Sequence, residues 1–279
     1  MLSYRNKRLI RKFTRKRIII YGSVLAVLVV LSLFAPYFAQ YDPIQISMEG
    51  RKPPNVDHIF GTDRLGRDIL SRIIYGTKYS LSIGIISVSI GLIFGTTMGV
   101  LSAYYGGLVD TIIMRFIDAL LAFPGILLAL VVIAVLGPGL FNVMLAVGIS
   151  TVPEYARLAR GKVLSVMQLE YIEAIHSIGG SNIRVILKHI LPNISAPITI
   201  LATLQVGNAI LVGSGLSFLG MGAQPPTPEW GLMTAEGRNF MSQAWWISTF
   251  PGIAILITVI SINQFGDGLR EAIDPYLKE

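Results

Sequence analysis

The residues able to do chemistry in this chain are few and dispersed. There is no cysteine, which removes disulfides, thiolate metal sites and cysteine nucleophiles together. The three histidines, His58, His176 and His189, are scattered, and no H-E-x-x-H places two imidazoles one helical turn apart for a metal. Each reads as a surface or interfacial side chain. A cradle for nucleotide phosphates needs G-x-x-x-x-G-K followed by Ser or Thr. Here Gly161-Lys162 is followed by Val163, and Ala156 stands where the first glycine is required. No expected membrane span carries a central acid or base, so a proton relay has little to work with. The chain is therefore expected to hold no catalytic set, no metal and no cofactor of its own.

One stretch does carry a pattern with consequences. Ile172, Ile175 and Ile178 stand three apart, with Ala174 four before Ile178, while Glu170, Glu173 and Ser177 fall mostly elsewhere around the helical wheel. That is the periodicity of a short amphipathic helix. Gly179-Gly180 ends it, as glycine commonly does. Ser181 or Asn182 can cap a second helix, which carries Ile183, Arg184, Ile186, Leu187 and Ile190 and is expected to stop before Pro192. The product is a helix–turn–helix elbow within 165–190. Periodicity alone leaves two uses open for it, a lever seated in a partner or a helix lying on lipid.

The elements that must hold this elbow follow from composition. Of 279 residues, 53% are hydrophobic and 14% charged, and the mean hydropathy is +0.64. Soluble domains carry about 25% charged residues, so a soluble enzyme of ordinary composition is excluded, and so is disorder. The formal charge of +7 is uneven. Arg5, Lys7, Arg8, Arg11, Lys12, Arg15, Lys16 and Arg17 crowd the segment 1–17 with no acid among them. A basic run just before an apolar segment is a cytoplasmic flank attracted to anionic lipid. No nucleic-acid partner is expected. Ile18 to Ala39 is free of charge and longer than the ~7–15 apolar residues of a signal peptide, so 18–39 is read as a retained first span.

Charge-free stretches then give six spans, at about 18–39, 80–104, 112–136, 141–158, 195–215 and 247–266. Gly137-Pro138-Gly139 separates the third from the fourth. Arg115 with Asp118, and Glu154 with Arg157, have the three-residue spacing of pairs along one helix and read as interfacial groups. A Gly/Pro-rich external loop follows the fifth span, with a re-entrant piece allowed in 216–228. The basic tail places the N-terminus inside, six crossings return the C-terminal tail 268–279 inside, and 159–194 faces the cytoplasm. The external loop 40–78 conflicts mildly with this, since it holds Arg51, Lys52, Arg64, Arg67, Arg72 and Lys78 against five acids.

Within the second span, Ser87, Gly91, Gly95 and Gly99 recur at intervals of four. Small residues on one face let another helix approach closely, the main route to association where lipid removes the hydrophobic drive. The partner could lie in the same chain or in a second, related chain, and simple tolerance of glycine is the alternative. Gln205, Asn208 and Asn263 are polar groups inside spans and must find partners or water. Lining a path and bonding between helices are both open to them.

Several motifs resemble one family, the permeases of bacterial ABC importers. Their coupling loop follows E-A-A-x3-G-x9-I-x-L-P. Glu173-Ala174, Gly179 and Leu191-Pro192 match it, while Ile175 replaces the second alanine and His189 stands where isoleucine is usual. His189 to Asn193 reads H-I-L-P-N, common in the peptide and nickel branch. Phe60 to Arg72 (F-G-T-D-R-L-G-R-D-I-L-S-R), then Tyr75-Gly76 and Ser80-Leu81, is similar to the segment before the second span in C-type subunits of dipeptide, oligopeptide and nickel permeases. Asp118-Ala119 with Ala122-Phe123-Pro124, Gly215 to Gly222, Pro225 to Gly231, and Gly266-Asp267 with Asp274-Pro275 continue the resemblance to about residue 276. Thr62-Asp63 and Gly66 also read simply as a turn and cap before a helix.

The resemblance implies an all-α membrane protein with the type I importer permease fold, a core over 79–267, and a place in the bacterial cytoplasmic membrane. It implies a second homologous permease as the other half of the pore, two ATPase subunits using ATP and Mg, and an external solute-binding protein meeting loops 40–78 and 216–246. It assigns ATPase coupling to Glu170, Glu173, Ala174, Ser177, Gly179, Gly180 and Arg184. The cargo implied is a di- or oligopeptide, with nickel or a metal chelate as the close variant. A self-sufficient channel or secondary carrier is the reading from a different class.

Overall fold

A computed structural model describes residues 4–273, and every regular element among them is a helix. The first, α1 (Tyr4–Leu33), runs without a break from the basic segment into the apolar one, so the expected tail is helical from Tyr4 onward. A single turn, α2 (Ala35–Phe38), follows. The next regular element is α3 (Ile69–Ile90), joined through a wide π turn at Gly91–Gly95 to α4 (Thr96–Tyr105). This rod starts eleven residues before the expected span because Asp68 caps it, its Oδ2 accepting from the Ser71 N–H at 2.7 Å. The turn before it is made by Asp63, whose Oδ1 accepts from the N–H groups of Leu65 and Arg67, and by Gly66 at φ 75°.

The expected helix over 112–136 is two helices, α5 (Gly107–Leu121) and α6 (Gly125–Leu136), which meet at 95°. Pro124 explains the break, since it forces the residue before it out of the α region. α7 (Leu140–Met167) outruns its expected end at residue 158 by more than two turns and accommodates Pro153 in its interior. The elbow comprises α8 (Glu170–Ser177) and α9 (Asn182–Val185). It does not stop before Pro192. A second π turn at Ile186–Ile190 leads directly into α10 (Leu191–Phe218). Leu191 N–H reaches back five residues to the Ile186 carbonyl, a wide register that admits a proline, which has no N–H of its own. A short helix, α11 (Trp230–Gly237), lies beyond the 216–228 stretch where a re-entrant piece was allowed. α12 (Trp246–Ile273) is the last element, and Asp274-Pro275 lies outside the described residues.

Four helical stretches are long and apolar enough to cross a membrane, Lys16–Leu33, Ile69–Tyr105, Asn182–Phe218 and Trp246–Ala272, with a fifth if the bent α5–α6 pair counts as one. α7 is not among them, because Glu154, Arg157, Arg160 and Lys162 fall within its second half. Its place in the bundle accounts for that. α3, α4, α5, α6 and α10 all pack on α7, so Val143, Ala146, Val147, Tyr155, Ala156, Ala159 and Val163 are buried against protein.

The segments that join α2 to α3 and α10 to α12 form a compact polar knot on this bundle. Arg67 Nε bonds Asp63 Oδ2 at 2.5 Å, and the Glu236 Oε2 carboxylate oxygen receives Arg67 at 2.9 Å and Arg72 at 3.2 Å. All four side chains are nearly closed off from solvent. Nearby, Glu229 caps α11 by accepting from the N–H groups of Gly231 and Leu232, both at 2.9 Å, while Ser80 of α3 and Ser214 of α10 donate to Oε1. Complete burial pushes the Glu229 carboxyl up from its ordinary range.

Candidate functional site

The elbow is built by local rules. Gly179 at φ +80° takes the left-handed conformation that glycine adopts freely. The Gly180 N–H bonds the Ile175 carbonyl at 2.9 Å, the six-to-one bond of a Schellman closure. A Cβ at Gly180 would stand 2.5 Å from Ile175 Cγ2, whereas one at Gly179 would meet nothing within 4 Å. Gly180 is thus required by packing, while Gly179 sits at a left-handed position that favours glycine but that Asn and Asp also adopt. Ser181 stands at the N-cap position of α9 but makes no side-chain cap bond, and Asn182 instead accepts from Tyr104 Oη at 3.0 Å. Asn193 Nδ2 donates to Tyr171 Oη at 3.0 Å and to the His189 carbonyl at 2.6 Å. The elbow is therefore pinned to the end of α4 and to the start of α10.

Ile172 is buried and Ile175 half-buried, as the amphipathic reading requires. Ile178 departs from it, at 85% exposed, because α8 ends one residue earlier. Ile183 and Leu187 are exposed too, at 70% and 57%. Glu170, Glu173, Ala174, Ser177, Gly179 and Arg184 are all exposed on the same short element. Apolar and charged groups gathered at the tip of a rigid elbow form a surface suited to a protein partner.

The small-residue stripe faces α7 of the same chain. Ser87 Oγ donates to the Met144 carbonyl at 2.9 Å. A Cβ at Gly91 would stand 2.1 Å from Thr151 Oγ1, at Gly95 2.5 Å from the Val152 carbonyl oxygen, and at Gly99 2.3 Å from the Ala156 carbonyl oxygen. Close approach along just over three turns, backbone to backbone at Gly95 and Gly99, locks α3 and α4 to α7.

The charged residues of α7 bond across helices instead of along one. Arg157 donates to Asp118 Oδ1 on α5 at 2.8 Å, and Arg160 grips Asp110 on α5 with two bonds of 2.7 and 2.6 Å. Glu154, read as a partner for Arg157, bonds the Gln205 amide of α10 through Oε2, and Asn208 Nδ2 donates to Gln205 Oε1 at 3.1 Å. Gln205 is buried, while Glu154 and Asn208 are exposed. Asn263 of α12 sits elsewhere, its amide oxygen 2.6 Å from where a Gly207 Cβ would be, so it fills a helix–helix contact. What the sequence reading missed is the bond that ties Glu154 on α7 to Gln205 on α10. The Arg157 spacing concealed it. Its own signal was the polar pair Gln205 and Asn208 on α10, which needed a partner.

Comparison with known proteins agrees with this architecture. Residues 91–279 match the family model described as "Binding-protein-dependent transport system inner membrane component". The dipeptide transport system permease protein DppC of Alkalihalophilus pseudofirmus is 45% identical over 251 residues, covering 90% of this chain and 83% of that protein. The glutathione transport system permease protein GsiD of Pectobacterium atrosepticum is 44% identical over 271 residues, covering 96% and 90%. The probable D,D-dipeptide transport system permease protein DdpC of Escherichia coli is 43% identical over 253 residues, covering 90% and 85%. Among solved structures, the inward-facing MetNI methionine ABC transporter superposes with a TM-score of 0.60 at 17% identity, over 74% of this chain and 98% of that one. An amino acid ABC transporter superposes at 0.55 and 12% identity, over 71% and 92%. The likeness to these two structures is one of fold. A single-chain helical bundle with a pinned elbow, matched over most of its length, belongs to the family of inner-membrane permease components of binding-protein-dependent ABC importers.

Proposed function

We propose that this chain is the C-type permease subunit of an importer of di- or oligopeptides, forming half of the pore with a second homologous permease. Two ATPase subunits, using ATP and Mg, drive it from the cytoplasm, and an external binding protein delivers the cargo to the outer loops. Both termini then face the cytoplasm. The observation that carries this reading is the elbow: Glu170, Glu173, Ala174, Ser177 and Arg184 exposed beside Ile178, Ile183 and Leu187, on a stalk continuous with α10. A partner that grips α8 moves α10 with it, which makes transport a two-state equilibrium biased from outside the pore. Peptide cargo is supported by three relatives named for dipeptide, glutathione and D,D-dipeptide transport.

The test is the double substitution Glu173→Lys with Gly179→Asp, made in the co-expressed complex. It reverses a charge on the exposed face and adds a side chain where close approach is free. The permease is expected to remain folded in the membrane while its ATPases no longer co-purify or no longer respond to liganded binding protein. Peptide uptake at the normal rate by this variant would show the coupling assignment to be wrong.

A further inference from the structure

Glu154 is the feature that coupling and packing leave unused. It lies mid-helix on α7, and its partner Gln205 is the fifteenth of the 28 residues of α10. At about 1.5 Å per residue, Glu154 is roughly 20 Å from either end of α7, and Gln205 is roughly 20 Å from the far end of the continuous helix Asn182–Phe218; both fall within the expected spans 141–158 and 195–215. Among the described residues, no basic side chain lies within ion-pair distance of Glu154, whereas Asp110 and Asp118 each hold an arginine. The carboxylate is nonetheless exposed on the chain surface, as is Asn208. An ionisable group within a span does not face hydrocarbon; it faces a water-filled path or a partner group.

From this geometry we infer that Glu154, with Asn208, is a way-station for the cargo's ammonium group in the translocation path. Gln205 holds the site open and fixed. Its amide nitrogen is committed to Glu154 Oε2 and its amide oxygen to Asn208 Nδ2. Those two bonds orient a carboxylate and leave the Asn208 Oδ1 as a second acceptor. An ammonium offers three N–H donors and needs acceptors alone, preferably one that is charged. The inference rests on the peptide reading above: a peptide with a free amino terminus carries that ammonium at neutral pH, whatever its side chains. A site reading only the terminus suits an importer whose specificity is set by a separate receptor.

The experiment uses the assembled complex of both permeases and the ATPases in lipid nanodiscs, without the binding protein. Retention of alanyl-alanine is compared with that of N-acetyl-alanyl-alanine, which lacks the charged amine. The wild-type complex is expected to hold the free peptide at least about tenfold better, the effect of one charged hydrogen bond. Glu154→Gln keeps the bond to Gln205 and is expected to erase that preference, while Glu154→Asp retains part of it. A wild-type complex without preference, or a Glu154→Gln complex with the preference unchanged, overturns the inference. So does loss of the second permease on purification of Glu154→Gln, which would make the carboxylate an interface group. If full transporter with its binding protein imports no peptide at all, the peptide reading itself has failed; if it imports peptide and the amine makes no difference at Glu154, only this inference has.

Discussion

Gly99→Ala is expected to destabilise the bundle even though alanine is the better helix former. The added Cβ would stand 2.3 Å from the Ala156 carbonyl oxygen and 2.8 Å from the Ala159 Cβ. Non-bonded carbon atoms rest about 3.5–4.0 Å apart, so α4 and α7 must part by about 1 Å. The opposing atom is backbone and cannot rotate aside. Overpacking of this kind costs about 1–3 kcal/mol, and a rigid neighbour puts this site at the upper end. Helix propensity returns about 1 kcal/mol. The net loss is about 1–2 kcal/mol, or about 2–8 °C in melting temperature for a chain of this size. Gly252→Ala on α12 is the control, because its Cβ would meet nothing within 4 Å and only the propensity gain applies. The assay is thermal unfolding of the purified chain in detergent, followed by fluorescence of its three tryptophans. If Gly99→Ala melts at or above Gly252→Ala, the close approach is not there, and the stripe reflects simple tolerance of glycine in membrane helices.

Three further outcomes follow from the same contacts. Glu236→Ala removes the carboxylate shared by Arg67 and Arg72 and leaves two guanidinium groups buried together; a loss of about 3–5 kcal/mol is expected, read as collapse of membrane abundance, with Glu236→Gln partly spared. Burial raises the Glu229 carboxyl, so the folded chain holds that proton more firmly than the unfolded one, and stability present at low pH is lost as pH climbs through the raised value. As pH rises above the ordinary carboxyl value of 4.5, the wild-type melting temperature should therefore fall relative to Glu229→Gln, and parallel curves for the two would refute the sign. Leu187→Gly with Lys188→Gly loosens the π turn behind the elbow at a cost of about 2 kcal/mol in helix propensity; ATPase activity should persist in the complex while peptide uptake drops several-fold, and proportional loss of both would show that this turn does not transmit motion.

What could be read from the sequence was local. Gly179-Gly180 between two isoleucine-spaced segments specifies the elbow, because a left-handed residue and a helix period are properties of neighbouring residues. The Ser87–Gly99 stripe announces a close helix partner for the same reason, although not which one. What could not be read depends on who neighbours whom. Arg115, Asp118, Glu154 and Arg157 suggest two pairs along their helices. In the folded chain Asp118 takes Arg157 and Glu154 takes Gln205, an exchange decided by α5 and α10 lying on either side of α7. The bend at Phe123-Pro124 was present as a proline in an otherwise unbroken apolar run, where hydropathy outweighs it. The expected end of α7 falls short for the opposite reason: its charged second half lacks the apolar signature of a span, yet it continues as helix because neighbouring helices pack along one face of it and bury Tyr155, Ala156, Ala159 and Val163.

The continuity of the chain from Asn182 to Phe218 gives these parts a common logic. That stretch is 37 residues of unbroken helix, about 55 Å at 1.5 Å per residue, and its first glycine is Gly207. At one end it carries the elbow, bound through Asn193 to Tyr171. Near its middle it presents Gln205 to Glu154. At its far end Ser214 reaches Glu229, which caps α11 and also receives Ser80 of α3. A displacement applied at α8 is thus not dissipated in a loop. Glycine contacts hold α3 and α4 to α7, and α10 in turn meets α3 closely at Gly84 and Gly213, where an added Cβ would stand 2.8 Å from Ile210 and 2.4 Å from Ile83, so these helices are packed as one body. The Glu154–Gln205 bond crosses from α7 to α10. Any rotation of α10 relative to α7 would stretch or re-aim that bond, so on the proposed reading the affinity of the carboxylate for a cation and the position of the elbow are coupled through one rod.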